Sequence, residues 1–311
     1  MNDANLDNGC PMGDFNNSVI FTKQVGSLPG LILNTEAVQS HAWHARLALE
    51  FERRAARTVL SARRHDGPLV IQKPLYPEGD EVCHAIIVHP PGGIAGGDEL
   101  ELRTDLGAEA SALLTTPGAA KWYRSAGDWA RQGVIFDVAG AASLEWLPQE
   151  TIVFDGARAD SRLDVELSGN GAFIGWEILC LGRTGSAERF SSGEWRSRTT
   201  LKRDGKPLWF ERACLAGNDR ALEAPAVLAG EPVVATMLAA SDKLTPPLLA
   251  ACREIAPLRG QGAITLLPGL LVGRYLGGSS AAAKIYFTKI WQAIRPAVIG
   301  RTAVEPRIWR T

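Results

Sequence analysis

Apolar and polar residues alternate with a period of two through much of the chain, the spacing of half-buried β-strands. Leu47, Leu49 and Phe51 alternate with charged or small residues, as Leu100, Leu102, Thr104 and Leu106 do with Glu99, Glu101, Arg103 and Asp105. The same pattern and short apolar runs predict strands over 82–88, 98–106, 110–116, 133–138, 143–147, 151–154, 162–167 and 172–181. Two Asp-Gly pairs read as hairpin turns. Asp66-Gly67 lies between the runs 58–60 and 69–71, and Asp204-Gly205 lies between 198–203 and 207–211. Strands are also expected at 264–267 and 270–275, around Pro268-Gly269. About ten to fourteen short strands with Gly-rich turns make a mainly β body.

Two segments change period. In 244–256, Pro246-Pro247 suit a first helical turn, and Leu248, Leu249, Cys252 and Ile255 share a face. In 280–294, Ala283, Phe287, Ile290, Trp291 and Ile294 form a second stripe, with a stop expected before Pro296. Each stripe reads as packing against the protein's own core. No linker or fixed-length repeat divides the body.

Composition excludes several functions. The 311 residues carry 33 Lys+Arg against 34 Asp+Glu, so no basic field points to nucleic acid or an anionic membrane surface. No stretch approaches the ~20 apolar residues of a membrane helix. Residues 1–18, rich in Asn, Asp and Gly, lack the pattern of a signal peptide and read as a disordered leader. Cys10, Cys83, Cys180, Cys214 and Cys252 are odd in number and widely spaced, which suits reduced thiols in a cytoplasmic protein. Cys180, within Ile-Leu-Cys-Leu, reads as a buried apolar thiol.

The most restrictive segment is His-Pro-Pro-Gly-Gly-Ile-Ala-Gly-Gly-Asp, residues 89–98. A phosphate cradle fails on two counts: Asp98 stands where a Walker loop needs lysine, and a strand, not a helix, follows. Catalytic constellations are likewise missing: there is no Gly-x-Ser-x-Gly elbow and no His-Glu-x-x-His. His84 and His89 are five residues apart and point to opposite faces of a straight strand. They are expected to serve separately, one bonded within the sheet and the other capping the loop.

Carboxylates in apolar surroundings are the more informative chemistry. Glu145, Glu150 and Asp155 flank apolar strands, and Glu177 lies inside Gly-Trp-Glu-Ile-Leu-Cys. Such charges are costly to bury unless they are paired or bind metal. One reading pairs them with arginines such as Arg158, Arg183 and Arg189. The other is an oxygen-lined path that holds a divalent cation such as Ni²⁺ weakly enough to release it. A third, an acid–base pair of Glu150 and Glu177, would make a hydrolase.

Several strings resemble the urease accessory protein D family. They are 89–98, Leu-Leu-Thr-Thr-Pro-Gly-Ala-Ala-Lys-Trp-Tyr-Arg-Ser (113–125), Leu-Glu-Trp-Leu-Pro-Gln-Glu-Thr-Ile-Val-Phe-Asp-Gly-Ala (144–157), Gly-Trp-Glu-Ile-Leu-Cys-Leu-Gly-Arg (175–183) and the closing Pro-Arg-Ile-Trp (306–309). The likeness runs in order from about Trp43 to Trp309, so residues 1–40 are a leader outside it and 41–311 a single domain. The resemblance implies a β-helix-like stack of short strands with two α-helices in the C-terminal half. It also implies a non-enzymatic cytoplasmic chaperone for nickel insertion into urease. Its partners would be accessory proteins F and G, the latter the GTPase, and the urease apoprotein, with nickel chaperone E acting indirectly. The missing Walker loop agrees with GTP hydrolysis by a partner. No cofactor would stay bound; Ni(II) would pass through, with Glu150, Asp155 and Glu177 as transit ligands.

Overall fold

A computed structural model describes residues 42–310. The leader and Cys10 lie outside the described residues. The chain opens with β1 (His44–Arg54), β2 (Arg57–Asp66) and the short β3 (Val70–Ile71). Four coils follow: β4 (Val82–Val88) with β5 (Glu99–Leu106); β6 (Ser111–Thr115), β7 (Ala120–Trp122) and β8 (Ala130–Val138); β9 (Ser143–Trp146), β10 (Thr151–Val153) and β11 (Arg158–Leu167); β12 (Ala172–Leu181) with β13 (Glu194–Arg203). The chain then adds β14 (Lys206–Ala216), β15 (Val233–Ala240), α1 (Pro246–Arg253), β16 (Gln261–Leu267), β17 (Leu270–Gly277) and α2 (Ser280–Val298).

Successive coils stack in parallel, giving a β-solenoid. One face aligns β1, β5, β8, β11 and β13 in parallel. Antiparallel β2 and β14 close its two edges. The other large face aligns β4, β6, β9 and β12 in parallel and continues through antiparallel β15, β17 and β16. A narrow third side is formed by β7, β10 and part of β12. The mainly β, β-helix-like architecture with two helices in the C-terminal half is thus observed.

Sequence patterns follow from what each face meets. On the first face, alternate residues such as Leu47, Phe51, Leu102 and Phe136 point inward. The opposite set is charged and paired across strands, as in Arg103–Asp137 (2.6 Å) and Arg198–Asp164 (3.0 Å). Strand β12 is apolar on both sides because both are covered. Phe173 and Leu179 join the solenoid interior, whereas Ile174, Trp176, Ile178 and Cys180 pack beneath the helices. The family string ending in Trp309 is part of this outer layer: Trp309 lies against Trp176 and Trp291, and its Nε1–H donates to Thr115 Oγ1 at 2.9 Å.

Three local expectations are corrected. Asp66-Gly67 does not join two paired strands; β2 pairs with β1 through a turn at Ala55, and Val70–Ile71 pairs with β4 in the other sheet. Asp66-Gly67 therefore hands the chain from one sheet to the next. Asp204-Gly205, by contrast, does turn a hairpin, with φ of +50° and +72°, the two positive values of a type I′ turn. Helix α2 does not stop before Pro296. Proline there removes only one late hydrogen bond, and the buried Arg295 and Val298 hold the last turn in place. Helix α1 ends at Arg253, earlier than expected, and only Cys252 of its stripe is fully buried.

Candidate functional site

The solenoid interior is not filled. Two cavities of about 320 and 210 Å³ lie between the large faces. Both are walled by Trp176, Glu177, Ser197 and Thr199, so they adjoin where β12 faces β13. The cause is local composition. The last coil sends the aromatics Phe173 and Trp195 inward, but beyond them on the same strand faces it sends Gly175, Glu177, Ser197 and Thr199. Small and hydroxylated residues leave space where aromatics would close it.

Glu177 follows from strand alternation. Its neighbours Trp176 and Ile178 face the helices, so its own side chain faces the interior. Burial pushes its carboxyl up to about 7, and the nearby Glu211 carboxylate adds to the effect. Glu177 is half-buried and lines both cavities. No hydrogen bond or ion pair reaches its carboxylate among the described residues. Glu211, from β14, lines the smaller cavity and is held by Arg274 of β17 at 2.7 Å.

The larger cavity reaches the glycine-rich loop. His89, Gly92 and Gly93 form part of its wall, opposite Pro117 and Lys121 of the next coil. A Cβ on Gly93 would lie 2.2 Å from the Tyr123 ring, and one on Gly96 would lie 2.4 Å from Ser125 Oγ. Those two positions therefore admit only glycine without a shift in the neighbouring coil. Asp98 is buried and fixes the loop: it accepts from the backbone N–H of Trp43 at 2.7 Å and of Ala95 at 2.8 Å. The carbonyl of His89, not its ring, closes the turn by accepting from Gly92 N–H. His89 Nε2 is buried with no partner, and burial lowers the imidazole's pKa.

The other carboxylates lie elsewhere, and the structure does not bring Glu150, Asp155 and Glu177 together. Asp155 is a structural pin. One carboxylate oxygen accepts from the backbone N–H and hydroxyl of both Ser191 and Ser192, and the other accepts from Arg124. Although burial opposes it, that set of bonds holds the carboxyl below its ordinary pKa. Glu150 is half-buried and lines neither cavity; its charge acts on Lys284 of α2 and on Cys180.

Glu145 is fully paired, with an arginine far along the chain. Arg295 of α2, wholly buried, donates to Glu145 and also to Glu78 at 2.7–3.1 Å. Trp291 Nε1–H donates to the same Glu145 carboxylate at 2.6 Å. His84 Nε2 lies 2.6 Å from Glu78, so His84 belongs to this outer network while His89 faces the interior. The two histidines do lie on opposite faces.

The pairing of carboxylates with arginines is therefore real, but with Arg295 and Arg124, while Arg183 holds Glu188 at 2.6 Å. Glu211, Arg274, Ser197 and Thr199 are not singled out by sequence. Each sits in an ordinary amphipathic strand, and only the folding of two sheets onto one cavity joins them. Cys180 is buried as expected, and Cys83, Cys180, Cys214 and Cys252 form no disulfide among the described residues. Among the described residues no three His, Cys, Asp or Glu side chains are grouped to hold a metal ion. Nor is any helix long and apolar enough to cross a membrane.

Fold and cavity together define a hollow β-solenoid with a helix-covered face and, among the described residues, one unpaired carboxylate, Glu177, in its cavity wall. Residues 44–310 match the family described as UreD urease accessory protein. Urease accessory protein UreD of Azoarcus sp. (strain BH72) is 54% identical over 271 residues, covering 86% of this chain and 94% of that protein. The corresponding protein of Dechloromonas aromatica (strain RCB) is 51% identical over 276 residues, covering 88% and 96%. The chain belongs to the UreD family of urease accessory proteins.

Proposed function

We propose that this protein acts in the cytoplasm in the maturation of urease, as a non-enzymatic chaperone for incorporation of the nickel metallocentre. In this reading it is both scaffold and nickel conduit. It works in a complex with accessory proteins F and G on the urease apoprotein, with G supplying GTP hydrolysis and nickel chaperone E feeding the system. Nickel is cargo here, not a resident cofactor.

Family membership supports the maturation role, and the observation that carries the conduit is Glu177 in its cavity. Nickel bound by thiolates or several imidazoles is held firmly, whereas isolated oxygen donors release it. The cavities are walled mostly by apolar and hydroxyl-bearing residues, and their arginines Arg162, Arg198 and Arg274 are paired with Asp160, Asp164 and Glu211, so the unpaired Glu177 carboxylate can hold a divalent cation without enclosing it. The rival hydrolase reading needs Glu150 and Glu177 at one site, yet only Glu177 lines the cavities.

Coexpression with urease and the other accessory proteins tests the reading. Deleting this protein should leave urease poor in nickel, and full nickel loading without it would refute the maturation role. Glu150, Asp155 and Glu177 are then replaced singly by alanine. Complex assembly should persist while urease nickel content falls, most of all for Glu177→Ala. Unchanged nickel in Glu177→Ala would remove the conduit.

A further inference from the structure

We infer that Arg274 keeps the interior beside Glu177 from becoming a two-carboxylate trap, and so sets how briefly a divalent cation stays. The inference rests on the conduit reading and assigns a role to residues that reading does not use.

Glu177, Glu211 and Arg274 are the charged side chains that line the smaller cavity. Glu211 comes from the edge strand β14 of one face, and Arg274 from β17 in the outer part of the other, so their ion pair spans the two sheets. Arg274 Nη1 lies 2.7 Å from Glu211 Oε1 and also donates to Thr236 Oγ1 at 2.5 Å. The guanidinium carbon stands 5.5 Å from the centre of the Trp209 ring. Arg274 is thus fixed from three sides with its charge turned to Glu211, leaving Glu177 the one carboxylate without a partner.

The charge balance decides the behaviour of a cation. With Glu177 ionised and Arg274 in place, the smaller cavity carries one net negative charge. Without it, two carboxylates face the same small space, and divalent-ion affinity rises with the number of charged oxygen ligands. The Arg274–Glu211 pair is itself exchangeable, because the two side chains keep 38% and 31% of their exposure. An arriving cation can draw Glu211 from Arg274, and Arg274 can reclaim it as the cation leaves.

The test is nickel binding by the full-length protein alone, measured by equilibrium dialysis against Ni²⁺ with metal analysis. Arg274→Met should tighten binding by about tenfold or more, as expected from removing one unit charge close to the cation. Glu211→Gln should weaken it, since the released guanidinium then turns to Glu177. The double variant should return close to the wild-type affinity. In coexpression, Arg274→Met should lower urease nickel because the metal is retained.

Equal affinity in wild type and folded Arg274→Met, or tighter binding by Glu211→Gln, would overturn the inference. Should Arg274→Met fail to fold, Glu211→Gln decides: weaker binding supports the inference and unchanged binding refutes it. The underlying reading fails separately. If Glu177→Ala leaves urease nickel unchanged while the opposite shifts persist in isolated protein, the conduit is lost but the control of cation binding stands.

Discussion

Replacing Glu177 by glutamine removes a carboxyl that folding makes hard to ionise and keeps nearly the same shape. In the native protein, burial and the Glu211 charge raise this group from its ordinary 4.5 to about 7. Between those values the native state keeps a proton that the unfolded chain has released, so stability falls as pH rises through the window. Above about pH 7 both states are ionised and the penalty is complete. At about 1.4 kcal/mol per pH unit the full interval corresponds to about 3 kcal/mol. Glu177 is only half-buried, and solvent screening reduces that to about 1–3 kcal/mol. Thermal unfolding of both proteins from pH 4.5 to 8 should show nearly equal midpoints at the acid end. Glu177→Gln should then gain steadily, by roughly 2–4 °C per kcal/mol, to a plateau above pH 7. A gap that does not vary with pH, or a less stable variant at pH 8, would show that Glu177 is solvated or paired and defeat the account of the cavity.

Arg295→Met should cost about 3–5 kcal/mol in chemical unfolding, because Glu78 and Glu145 are left buried without their cation; a loss below 1 kcal/mol would contradict that network. Asp155→Ala should open the Ser191–Ser192 loop to limited proteolysis, since five hydrogen bonds disappear with the carboxylate. Because the folded pKa of Asp155 is lowered from 3.8, its stabilisation is present above that value and is lost as pH falls through the folded pKa. The Asp155→Ala deficit should therefore shrink in acid. With Cys10 replaced by serine, a thiol reagent at pH 8 should modify exposed Cys214 first and reach Cys83, Cys180 and Cys252 only on unfolding. Cys83 is protected twice, by burial and by a thiol pKa pushed up to about 11.

Most strands were legible because each large face is buried on at least one side, which imposes a strict period on the residues. Strand β15 is not legible in the sequence because Val-Val-Ala-Thr-Met-Leu-Ala-Ala has little alternation and no turn signal of its own. Asp66-Gly67 does not reveal its strand partners because a turn pair specifies a change of direction, not which strand pairs next. In the interior, Glu177 was visible as a charge inside an otherwise apolar run, and the cost of burying it marked it. Glu211 and Arg274 gave no such mark, since each lies among polar neighbours and gains meaning only across two sheets. Asp155 looked similar to Glu177 in sequence, yet the Ser191–Ser192 backbone satisfies it and leaves little capacity for another ligand.

The Arg295 network also bears on the order in which the chain matures during synthesis. Each coil rests on the one before it and has its strand partners soon after it emerges. Glu78 and Glu145 do not, because their cation is 217 and 150 residues further along. Until α2 leaves the ribosome, a nascent chain with complete coils presents both carboxylates on an uncovered apolar face. Arrival of the last helix supplies the shared cation and covers that face in one event, so an otherwise modular stack acquires an all-or-none final step.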